Sequence, residues 1–121
     1  MIAAADGGAD DRPDPAELVA ILRGLFDGRS LRVGKMFGHP ALYVRRTMFA
    51  CVYGSGVGLR VPANVASSAI EGGRAIAFQP HRKPAMREWI ELRPMRGEDL
   101  ASDRDLIVIA YEFAVSRLVC G

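Results

Sequence analysis

Two histidines and two cysteines are the side chains in this 121-residue chain best suited to metal binding or nucleophilic chemistry. A zinc site wants three or four Cys or His ligands at short, paired spacing. His39, Cys51, His81 and Cys120 stand far apart, so no metal site is assigned. Cys51 with a distant histidine has the makings of a nucleophile and its base. It sits inside the apolar run TMFACVY, however, and that assigns it to packing. GSGVG at 54–58 has the glycines of a phosphate loop but no Lys-Ser/Thr after it, and a strand pattern follows where a helix is required. It reads as a hairpin turn. Glu98, Asp99, Asp103 and Asp105 gather where the last helix should begin, and negative charge there complements the helix dipole. No catalytic residue and no cofactor is assigned.

Cations and aromatic rings remain. Sixteen bases meet fourteen acids, a net charge of +2, but Asp6, Asp10, Asp11 and Asp14 crowd the start against Arg12 alone. The rest of the chain is therefore mildly basic, which permits an acidic or nucleic-acid partner without amounting to a basic stripe. Arg45, Arg46, Arg82, Lys83 and Arg87 form the set that could contact phosphate, the last three around the prolines of QPHRKPAMREW. No apolar run approaches the roughly 18 residues of a membrane span. With no leader-like start either, the expectation is a reduced, cytoplasmic protein off the membrane.

The elements that must position these groups follow from pattern. Residues 1–13 carry few large apolar groups and read as an acidic arm, leaving 14–121 as one domain. Asp14 caps a helix, Pro15 fits its first position, and Leu18, Ile21, Leu22 and Leu25 form one apolar stripe ending at Gly28. GKMFG, ALYV, TMFACVY and VGLRV are short, glycine-punctuated, β-type runs. Links as short as Arg45-Arg46 and Gly54-Ser55-Gly56 favour an antiparallel meander, because parallel strands need long crossovers. ANVASSAIEGG is a helix with Val65, Ala69 and Ile70 inward. RAIAFQ and MREWIEL are two more strands, and Pro94 stops the second. A last helix opens at Ser102, with Asp105 in a capping box and Leu106, Ile109, Ala110, Phe113 and Leu118 on its apolar face. Strands in runs with helices gathered about them make an α+β fold, an antiparallel sheet covered by helices.

Strand parity adds a functional hint. In MREWIEL, Met86, Ile90 and Leu92 share one face, and Arg87, Trp89 and Glu91 the other. Trp89 and Tyr43, with Phe49 or Tyr53, would then line a face turned away from the helices. Such a face suits a homodimer surface or a stacking platform for single-stranded nucleic acid, unless the C-terminal segment folds across it.

KMFGHPALYV, TMFACVYGSGVGLRV and FQPHRKPAMREWIEL, in this order, resemble the N-terminal domain of the TfoX competence-regulator family over roughly residues 14–118. The resemblance rests on Met36-Phe37-Gly38, Leu42-Tyr43-Val44, Met48-Phe49-Ala50, Leu59-Arg60-Val61, Phe78 with Lys83-Pro84, and Met86 with Trp89. It implies a two-layer sandwich in the order α-β3-α-β2-α, similar to type III secretion chaperones. It implies no catalytic residues and, through the full-length family, a role in transcriptional control. Where the family often has Asp-Gly in a hairpin, this chain has Arg45-Arg46. A type I′ turn needs positive φ at both places, so a longer or irregular turn with two cations at its tip is expected. The leading expectation is a non-enzymatic domain acting through protein–protein contact, as a homodimer. A nucleic-acid-associated regulator is the alternative, and a small-molecule binder using His39, His81 and Trp89 the third reading.

Overall fold

The computed structural model of the chain describes residues 13–26, 29–36, 38–79 and 86–120, the side chains of the last three excepted. The expected capped helix is there as α1 (Pro15–Leu25). Asp14 has extended backbone and its carboxylate accepts from the Glu17 N–H at 2.8 Å. Leu18 and Leu22 are buried from this helix, with Ile21 and Leu25 packed beside them. The Gly28 stop lies outside the described residues.

Four strands follow: β1 (Arg32–Met36), β2 (His39–Val44), β3 (Thr47–Tyr53) and β4 (Gly56–Arg60). After α2 (Ala63–Glu71) come the two-residue β5 (Ile76–Ala77) and β6 (Trp89–Leu92). A 3-10 helix (Gly97–Asp103) then leads into α3 (Arg104–Cys120). The fold is α+β, with one six-stranded antiparallel sheet in the order β1-β2-β3-β4-β6-β5. The four β-type runs are four strands, where the resemblance implied three. GKMFG does not merge into the next strand. Its Lys35-Met36 close β1, and Gly38, at φ 81, lies just before β2 begins. Positive φ is open to glycine at little cost.

The hairpin between β2 and β3 corrects a second expectation. Val44 pairs with Thr47, so Arg45-Arg46 is a tight two-residue turn, and Arg45 itself takes φ 55. The irregularity appears further in. Leu42 pairs with Ala50 but Tyr43 pairs with Met48, leaving Phe49 as the extra residue of a β-bulge. Both Phe49 and Ala50 therefore reach the helix side of the sheet and are fully buried there.

Phe49 meets Phe26 and Tyr111 edge-on, at 5.5 and 5.4 Å between centroids, while those two rings stack at 4.8 Å. The Tyr111 hydroxyl donates to the Ser30 carbonyl at 2.9 Å, tying α3 to the segment between α1 and β1. Each fully buried large side chain of this kind is worth about 1.5–3 kcal/mol of transfer free energy. This trio fixes how α3 sits. Its buried face keeps the expected Leu106 and Ala110 and adds Ile107, Tyr111 and Ala114, while Ile109 and Phe113 are half-buried and the Leu118 side chain lies outside the described residues. Small residues let the helix approach the sheet. In α2 the buried residues are Ala66 and Ala69, while Ile70 is turned outward at 40% exposure. The expected cap at Ser102 is replaced upstream: the Asp99 carboxylate accepts from the Met95 and Arg96 N–H groups at 3.1 and 3.0 Å.

Candidate functional site

The three α-helices among the described residues pack with Leu42, Val44, Val52, Val57, Leu59, Ile90 and Leu92 in the main core. The side chains that alternate with these lie on the other face of the sheet. There Ala41, Cys51 and Phe78 are buried, and Met36, Tyr43, Met48, Tyr53 and Trp89 are half-buried around them. The parity reading is correct for Trp89, Tyr43 and Tyr53. It fails for Phe49, which the bulge moves to the helix side. Met86 lies before β6, 41% exposed, rather than in the strand. The C-terminal helix packs on the side away from Trp89.

Glycines shape this second face. Gly56 and Gly58 alternate along β4 and leave it bare. A Cβ at Gly58 would stand 2.9 Å from the Cys51 sulfur and 3.2 Å from the Phe78 ring. A Cβ at Gly56 would run into the Glu91 carboxylate. The bare strand therefore makes room for Phe78 to lie across the sheet and for Glu91 to fold down beside it. GSGVG is the expected hairpin turn, with Gly54 at φ 64. A positive φ at the first central position is what a type II′ turn requires.

The rings form a chain across the face. His39 stacks on Tyr53 at 4.4 Å, Tyr53 meets Phe78 edge-on at 6.2 Å, and Phe78 lies 5.5 Å from Trp89. His39 opens β2 and Trp89 opens β6, so they stand at opposite ends of the sheet. The trio expected to enclose a small molecule is thus not gathered into one pocket by its described members, and His81 lies outside the described residues. Glu91, 8% exposed, accepts from Arg93 Nε at 3.0 Å. Together with Tyr53, Ser55, Phe78 and Gln79 these two line a cavity of about 240 Å³, below the roughly 300–1,000 Å³ usual for ligand pockets. Burial pushes the Cys51 thiol up to about 11, so at neutral pH it is protonated and a poor nucleophile. Among the described residues no three His, Cys, Asp or Glu side chains converge on a point that could hold a metal ion.

Of the expected phosphate contacts, Arg82 and Lys83 lie outside the described residues. Arg45, Arg46 and Arg87 share one rim, the end of the sheet at which β1, β3 and β6 begin and β2 and β4 end. Pattern reading missed two further arginines on that rim. Arg32, opening β1, lies 4.6 Å over the Tyr43 ring, and its Nη2 donates to the Arg45 carbonyl at 3.0 Å. Arg60, closing β4 opposite Trp89, is paired with Glu88 at 3.0 Å. The signal for both was available, since each stands at the end of a strand run whose direction the meander fixes. No helix among the described residues is long and apolar enough to cross a membrane. In comparisons with known proteins, no family model matches this chain and no curated protein matches it.

Proposed function

We propose that this chain is a non-enzymatic, cytoplasmic module that works by protein–protein contact and self-associates through the face of its sheet opposite the helices. The observation that carries this reading is the composition of that face: three buried and five half-buried apolar or aromatic residues, with no helix among the described residues packed on them. Aromatic and methionine side chains are the types enriched at protein interfaces. Two such faces can pack about 10 Å apart around a two-fold axis, each copy presenting the same patch. Tyr43, Tyr53 and Trp89 belong to this surface; Phe49 does not. The resemblance to the TfoX N-terminal domain favours a regulatory role for such a module.

Light scattering on a sizing column tests the reading. A dimer is expected at about tens of micromolar, where weak self-association is already populated. Met48→Glu, which puts a charge on the face, should return a folded monomer as judged by circular dichroism. A wild-type monomer at that concentration would refute the proposal.

A further inference from the structure

The rim carries a second kind of chemistry, independent of the apolar face. At its corner three arginines meet: Arg45 and Arg46 in the turn, and Arg32 bonded to the Arg45 carbonyl. Among the described residues no carboxylate pairs with any of them, nor with Arg87 further along. Glu88, next to Arg87, is held by Arg60, and three further acids are placed elsewhere. Asp103 and Asp105 pair with Arg74, which precedes β5, and Glu91 with Arg93 past the end of β6; both groups lie at the opposite end of the sheet.

The arginine in the turn is held at a cost. At φ 55 a residue with a Cβ gives up about 1–2 kcal/mol that glycine would not, and asparagine also tolerates this region. Arg45 is kept there beside Arg46 in the chain and with its carbonyl bonded by Arg32. A local outlier of this sort points to function when the surroundings hold it in place, as the 3.0 Å bond from Arg32 to the Arg45 carbonyl does.

We propose that this rim binds the sugar-phosphate backbone of a nucleic acid, with Arg32, Arg45 and Arg46 at its corner and Arg87 extending the contact. Arginine suits phosphate because its planar fork donates in pairs. Arg32 is already oriented by the Tyr43 ring and the Arg45 carbonyl, so little ordering remains to be done on binding. The hairpin tip and Arg87 are separated by two to three strands, roughly 12 Å at the usual spacing. That is a line of charge, matched by a polyphosphate backbone better than by a single phosphate. A docked protein is the poorer fit. Interfaces are held by aromatic anchors at a charge-depleted centre, and this corner presents three arginines instead.

The test uses a labelled oligodeoxythymidine and a duplex of equal length, with anisotropy and Trp89 fluorescence as readouts, at low and then rising salt. Three or four phosphate contacts predict a log–log salt slope of roughly −2 to −3 for the single strand and −3 to −4 for the duplex. The tighter of the two identifies the form bound. The double variant Arg45→Asn, Arg46→Asn keeps a residue fit for the turn and removes two charges. It should flatten the slope by about 1.4 for a single strand or 1.8 for a duplex. Absence of binding at low salt, a double variant that binds as wild type, or polyglutamate competing as well as nucleic acid would each overturn the proposal. Because the substitutions lie off the apolar face, self-association stays intact whichever result is obtained.

Discussion

Arg45 supplies a test of the backbone argument that needs no ligand. In a turn closed by Val44 and Thr47 it takes φ 55, where a Cβ costs about 1–2 kcal/mol. Asparagine recovers most of that cost, since its short polar side chain tolerates the region. Glycine recovers more in the folded state but loses about 0.4–1 kcal/mol through its freer unfolded chain. The bond from Arg32 goes to the backbone carbonyl, so it survives either change. Arg45→Asn should therefore add about 1 kcal/mol of stability and Arg45→Gly about half as much. For a domain of this length, 1 kcal/mol moves Tm by roughly 3–6 °C. Urea unfolding followed by Trp89 fluorescence, together with thermal melts, would measure both. Arg46→Asn is the control for charge: Arg46 has no positive φ, so it should shift stability by no more than about 0.5 kcal/mol. Arg45→Val should lose stability, because a branched Cβ fits the left-handed region worst. If Arg45→Asn melts at or below wild type, or Arg46→Asn gains as much, the strain argument is wrong.

Other outcomes follow from packing and pairing. Gly58→Ala forces a methyl against the Cys51 sulfur and the Phe78 ring and should cost about 1–3 kcal/mol; adding Cys51→Ala removes the sulfur and should restore part of it, a coupling that a double-mutant cycle of denaturation midpoints would reveal. Asp105 is held below its ordinary 3.8, first by hydrogen bonding from Arg74. A lowered folded value means the pair stabilises the fold above the carboxyl's unfolded pKa and is lost as pH falls through the folded one. The side chains of Arg74 and Asp105 are 41% and 58% exposed, so the effect should be under about 1 kcal/mol. Arg74→Gln should lower the melting point near neutrality and converge with wild type in acid; a constant gap across that range would contradict the pairing.

Features set by local chemistry were legible in the sequence. The Asp14 cap, the proline after it and the leucine stripe needed only neighbours within a turn or two, and α1 formed as read. The meander was marked by its glycines, and parity along β6 placed Trp89 on its face. What failed depended on contacts distant in sequence. Phe49 looks like the next alternating residue of TMFACVY until the bulge doubles the inward positions. The face of α3 was set by Tyr111 reaching Phe26, Phe49 and Ser30, which no periodicity within the helix announces. Ile70 was expected inside because it is large, but alanines fill α2's contact with the sheet. The Arg45-Arg46 link was expected to loosen because arginine dislikes positive φ. The closed hairpin instead imposes that angle on it.

The bulge also lets the hairpin lose one residue, Phe49 or Ala50, without changing the face of any other. Without Phe49, Met48 and Ala50 would become neighbours opposite Tyr43 and Leu42, the partners they already have. A deletion there would cost the ring but leave every other side chain of β2 and β3 on its present face. Removing Met48 instead would bring Phe49 opposite Tyr43 and carry its ring out of the core. Single-residue length variation in this hairpin therefore keeps its faces only at the bulge: Phe49 or Ala50 can be lost without turning the strand over, and loss of Ala50 also keeps the ring in the core, opposite Leu42.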